Sequence, residues 1–76
     1  MTRDEFLNEV ADRFEIARAD LSDDAILTDV LAWDSMDVIS FIVLAGEKLD
    51  IVVDGPEAAA AETVKDLMAL VSQKLD

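Results

Sequence analysis

Histidine, cysteine and tyrosine are absent from this chain, and lysine and arginine together supply only 6 of its 76 residues. Without cysteine there is no disulfide framework, no thiolate zinc site and no sulfur nucleophile. Without histidine the commonest general base and metal ligand is missing. The few basic residues are outnumbered by 18 aspartates and glutamates, which gives a formal charge of −12 at pH 7. Such a chain repels phosphate backbones, so nucleic acid is excluded as a partner. Taken together, these absences argue against an enzyme acting alone. No apolar run nears the length of about 18 residues that marks a membrane span, and no basic stretch leads into an apolar segment. The expectation is therefore a cytoplasmic protein, monomeric and without membrane insertion.

Glycine occurs twice and proline once, so the chain has little punctuation and reads as one domain over residues 1–76. Its hydrophobic share of 53% is far above that of disordered acidic tails. A domain this small is marginally stable, and self-repulsion weakens it further, so screening salt is expected to raise its melting temperature.

Helical periodicity is clear from Thr2 to Ala17, where Phe6, Leu7, Val10, Phe14 and Ala17 share one face. Thr2 followed by Glu5 is a capping-box pair that fixes the start. From Arg18 to Asp34 the period is lost, and turn-forming aspartates alternate with scattered apolar residues that can pin the loop to a core. One short helical turn fits within it. The segment from Ser35 to Leu49 is the most apolar, and its length suits a central helix better than a strand. Ile51 to Val53 reads as extended, Glu57 to Glu62 as a short helix behind Pro56, and Thr63 to Leu75 as a last helix capped by Thr63 and Asp66. The predicted fold is all-α: a small antiparallel helical bundle of three main helices plus one short helix, with a long loop between the first and second.

The aspartates invite a metal, but the calcium-loop spacing from Asp20 fails. Ala25 stands where the turn glycine belongs, and Leu31 where a bidentate glutamate is required. No metal site is expected. The serine and threonine hydroxyls have no histidine to activate them, so a reacting hydroxyl needs another protein to do so. Ser35 stands out among them, because it lies where the acidic loop meets the most apolar helix. A hydroxyl there is exposed, and the free N–H groups of a helix start favour a phosphate. Serving as a plain N-cap is the alternative role for Ser35.

The run from Leu31 to Val53, with Asp34-Ser35-Met36 at its head, resembles an acyl carrier protein. The context extends the resemblance over nearly the whole chain. One amphipathic helix and an acidic loop precede the tripeptide; Glu47-Lys48-Leu49-Asp50-Ile51, a short helix and Thr63-Val64-Lys65-Asp66-Leu67 follow it. The resemblance implies a non-catalytic carrier in which a phosphopantetheinyl transferase attaches the 4′-phosphopantetheine arm of coenzyme A to Ser35. The arm then bears acyl or aminoacyl intermediates as thioesters between a loading enzyme and downstream processing or transferring enzymes. In this way the missing sulfur arrives with a cofactor. Trp33, Asp34, Met36 and Asp37 are the expected partner-binding residues beside it, with Trp33 equally suited to pinning the loop.

Residues 19–37 hold six aspartates and no basic residue. At a Debye length of about 8 Å such a cluster steers a basic partner surface toward Ser35, and charge reversal at Asp34 and Asp37 is expected to slow loading. The predicted central helix bears only Asp37 and Glu47 as acidic residues, with Ser40 where fatty-acid carriers commonly have glutamate and Gly46 as an interruption. These departures point toward a specialised biosynthetic pathway. From a different class, an acidic helical adaptor module with Ser35 as a mere cap is the alternative.

Overall fold

Thr2 and Glu5 close a reciprocal cap: the Glu5 N–H donates to Thr2 Oγ1 (3.1 Å) and the Thr2 N–H to Glu5 Oε1 (2.8 Å). From that start α1 runs Arg3–Phe14 in the computed structural model, which describes residues 1–76. The helix ends before the expected Ala17. Glu15 adopts φ 57° and ψ 44°, and its N–H returns to the carbonyls of Ala11 and Asp12. A left-handed residue at that point terminates a helix. Ala17 is left exposed beyond the end, and Ala11 joins Phe6, Leu7 and Val10 on the buried face.

The predicted long loop contains two ordered turns, a 3-10 turn at Arg18–Asp20 and the one-turn helix α2 at Leu27–Val30. Burial of Leu21 and Leu27 anchors it, as the scattered apolar residues implied. Backbone bonds to the segment around Thr63 anchor it as well. The Leu27 N–H donates to Glu62 O (2.9 Å), Val64 N–H to Ala25 O (3.0 Å) and Lys65 N–H to Asp23 O (3.0 Å).

Helix α3 occupies Ser35–Leu49, the expected bounds, and packs against α1 and α4. Gly46 does not interrupt it. Its φ is negative and the helix continues to a left-handed Asp50. Phe6 of α1 and Phe41 of α3 meet edge to face, with centroids 6.0 Å apart at 76°. At the rim, Arg13 reaches Glu47 (2.7 Å) and Lys48 reaches Glu9 (3.7 Å). Exposed pairs of this kind contribute about 0–1 kcal/mol each, so apolar burial holds α1 to α3.

Asp54 caps α4, Gly55–Ala60, by accepting the Glu57 N–H (3.1 Å), with Pro56 in the first turn. Helix α5 begins at Val64 behind the predicted Thr63–Asp66 cap but stops at Ala69. At Val71 the backbone turns to φ −119° and ψ 2°, and a 3-10 turn, Ser72–Lys74, follows. That turn keeps Val71 buried and Leu75 half-buried. The observed set is thus two long helices and three short ones, with no strand. All 18 buried side chains are apolar, and they form one cluster. No helix is long and apolar enough to cross a membrane.

Candidate functional site

Three consecutive residues build the head of α3, each with a different task. Asp34 is the N-cap. Its backbone is extended (φ −87°, ψ −174°) and its Oδ1 accepts the Asp37 N–H at 3.0 Å. Asp37 turns back in return, and its Oδ2 accepts the Trp33 N–H at 2.8 Å. Ser35 is therefore the first helical residue and not the cap, which corrects that alternative: a cap needs extended backbone, and Asp34 has it. The Ser35 side chain is exposed and its hydroxyl makes no hydrogen bond within the chain. The N–H groups of Ser35 and Met36 are likewise unengaged, as expected in the first turn of a helix.

Trp33 sits in left-handed backbone at φ 47°. For a bulky residue that conformation costs roughly 1–2 kcal/mol, and several contacts offset it. The indole Nε1–H donates to Ala58 O at 3.1 Å, and the ring lies 6.2 Å from Phe41 and 6.4 Å from Phe14. With 9% of its surface exposed, Trp33 pins the loop to the core and holds the residue before the cap in place. This is the second of the two roles the sequence left open.

Met36 is 74% exposed, and with Ile39 and Val43 it forms an apolar stripe along α3 that no other element covers. A helix so apolar was expected to be touched on several sides. Its main helical neighbours are α1 and α4, and the side bearing this stripe faces solvent. Between α3 and α4 an apolar groove of about 370 Å³ opens at Ser35, walled by Trp33, Val38, Ile39, Ile42, Pro56 and Ala59. The α4 side of this groove had no signal in the sequence, since Pro56 and Ala59 are ordinary helix-start and helix-surface residues.

The six aspartates of residues 19–37 divide by task. Asp34 and Asp37 bond backbone N–H groups, and Asp23 pairs with Arg3. Asp20, Asp24 and Asp29 are exposed, and their carboxylates have no hydrogen-bond or ion-pair partner. No three acidic side chains converge as a cation cage.

Chemically, the site offers an exposed alcohol with no base beside it. It becomes a nucleophile only when another protein removes its proton. A phosphodiester on Ser35 fits this setting: the oxygen is free of other bonds, and the unengaged first-turn N–H groups and helix dipole favour an anion there. No family model, curated protein or solved structure matches the chain.

Proposed function

We propose that this protein is a carrier, modified on Ser35 by a phosphopantetheinyl transferase using coenzyme A. One observation carries the reading. Ser35 heads the longest helix, at the lip of an apolar groove, with a hydroxyl that neighbouring aspartates have relieved of any capping duty. The Ser35 oxygen bonds to the pantetheine-side phosphorus of the coenzyme A pyrophosphate, the pyrophosphate P–O bond breaks, adenosine 3′,5′-bisphosphate leaves, and the transferase takes the hydroxyl proton. The bound 4′-phosphopantetheine supplies a thiol that holds acyl or aminoacyl groups as thioesters. The chain's own residues bind, orient and present it. Asp20, Asp24 and Asp29 draw a basic partner surface by charge, and Met36, Ile39 and Val43 give that surface an apolar contact beside the arm. Part of the same reading is an antiparallel bundle of α1, α3 and the C-terminal helical segment, acting as a monomer in the cytoplasm and serving a specialised pathway.

The test is incubation with a broad-specificity transferase and coenzyme A, read by intact mass. The expected result is one phosphopantetheine per chain, none on Ser35→Ala, and loading that slows as salt rises. A chain that stays unmodified is instead an adaptor docking through the exposed stripe on α3, the observation that favours that second reading.

A further inference from the structure

Helices α1, α3 and α5 each carry an acid three residues past the cap, yet the three carboxylates bond differently. At α1 Glu5 accepts the N–H of the cap residue, Thr2, at 2.8 Å. At α5 Asp66 accepts the N–H of the cap, Thr63, and that of Glu62 before it, both at 3.2 Å. At α3 Asp37 passes over the cap and accepts only the Trp33 N–H, one residue further back, at 2.8 Å. The N–H groups of Asp34, Ser35 and Met36 are therefore all unengaged, a row of three centred on the candidate hydroxyl. In α1 and α5 the acid occupies the first of these places.

The Asp37 bond also holds the one strained residue of the site. Trp33 is left-handed at φ 47°, a conformation a bulky side chain disfavours, and Asp37 is the sole acceptor of its N–H. Its ring is fixed separately, by Nε1–H to Ala58 O at 3.1 Å and by the packing on Phe41 and Phe14. Without the carboxylate, Trp33 is free to leave the left-handed region, which redirects the chain. With the ring anchored in the core, the change falls on the backbone beside it, where Asp34 and Ser35 follow directly. Asp37 is half-buried and turned to the backbone, whereas the exposed Asp20, Asp24 and Asp29 have unpartnered carboxylates. Holding the site and drawing a partner thus fall to different aspartates.

From this geometry we infer that Asp37 is a positioning residue for the loading of Ser35, acting through the Trp33 N–H to fix the first turn of α3. The inference rests on the carrier reading and adds a residue that works by an inward hydrogen bond. Its remaining charge contributes only to encounter.

The full-length chain, Asp37→Asn and Asp37→Ala are loaded from coenzyme A by a broad-specificity transferase, at a temperature where circular dichroism shows each folded. Initial rates are resolved into kcat and KM for the carrier. Asparagine keeps an acceptor oxygen and drops the charge; alanine drops both. KM is expected to rise alike in the two variants. For kcat, Asp37→Asn is expected to stay within about twofold of the parent and Asp37→Ala to fall about tenfold or more, the cost of a misplaced reacting group. Hydrogen exchange at the Trp33 amide is expected to stay slow in the parent and Asp37→Asn and to quicken in Asp37→Ala. A merely structural Asp37 would lower stability and leave the kcat of the folded chain unchanged. A kcat that falls equally in both variants, or in neither, overturns the inference. If Asp37→Ala does not fold, Asp37→Asn decides: a preserved kcat with a slow Trp33 amide supports it, and a tenfold loss overturns it. A parent chain that takes up no phosphopantetheine sinks the carrier reading itself, a result distinct from loading that ignores the acceptor.

Discussion

At the scale of single residues, Asp34 and Ser35 look interchangeable in sequence, since both are favoured helix caps. The structure gives them opposite roles. Asp34→Ala removes the acceptor of the Asp37 N–H and is expected to destabilise the fold by about 1 kcal/mol. Ser35→Ala deletes a hydroxyl that bonds nothing and is expected to stay within about 0.5 kcal/mol of the parent. Urea unfolding of the two variants reads the difference directly; a larger loss at Ser35 would mean that its hydroxyl shares the capping. The same geometry changes how steering is tested. Reversing the charge of Asp34 or Asp37 also breaks a backbone bond, whereas Asp20, Asp24 and Asp29 are free to be altered without one. The place of Ser35 at the head of α3 was legible because an Asp-Ser-Met run sits where a polar loop gives way to an apolar helix. Which of its two open roles Trp33 takes was not, because its partner carbonyl on Ala58 lies 25 positions away and no local pattern encodes that pairing.

Among the helices, α3 carries an avoidable weakness. Gly46 lies exposed in its interior, and an added Cβ would approach nothing closer than Ile51 O at 3.8 Å, an ordinary contact. Gly46→Ala is expected to stabilise by about 0.5–1 kcal/mol through the entropy of the unfolded chain, measurable as a higher urea midpoint at unchanged slope. The helix starts at α1 and α5 respond to acid. The Thr2 N–H bonded to Glu5, and the Glu62 and Thr63 N–H groups bonded to Asp66, hold both carboxyls below their usual range. A pKa lowered by folding contributes stability above the unfolded value and loses it as pH falls through the folded value. Glu5→Gln and Asp66→Asn are therefore expected to melt lower than the parent at pH 7. The deficit should close as the pH falls out of the ordinary carboxylate range and through the lowered folded values; a deficit that persists in acid would trace to geometry instead of charge. These starts were legible because threonine and an acid three residues on form a local signal. Helix ends were harder to read: α1 stops on a left-handed Glu15 and α5 gives way before Val71, and neither place has the glycine or proline that usually marks a stop. The loop from Arg18 to Asp34 was rightly expected to be pinned, yet its backbone bonds to the segment around Thr63 join distant parts of the chain and leave no periodic trace.

For the molecule as a whole, charge sets the balance. The fold spans 27 × 25 × 19 Å and bears a net charge of −12. At an ionic strength of about 0.01 M the Debye length of about 30 Å exceeds those dimensions, so every acidic side chain repels every other; at about 1 M it is about 3 Å and only contacting charges interact. Salt also weakens attraction, and the ion pairs at Met1, Arg3, Arg13, Arg18 and Lys48 are all at least partly exposed. Each contributes about 0–1 kcal/mol at most. Most of the 18 acidic side chains have no cationic partner, so relief of repulsion outweighs the loss of these pairs. The melting temperature is expected to rise steadily with sodium chloride across that range, followed by circular dichroism, and a flat or falling curve would mean that the ion pairs dominate. Packing cannot compensate at low salt, because the 18 buried residues form one small cluster. In the proposed carrier, the unscreened excess that weakens the fold also extends the reach of Asp20, Asp24 and Asp29 toward a basic partner. Stability and the rate of encounter must therefore move in opposite directions with ionic strength.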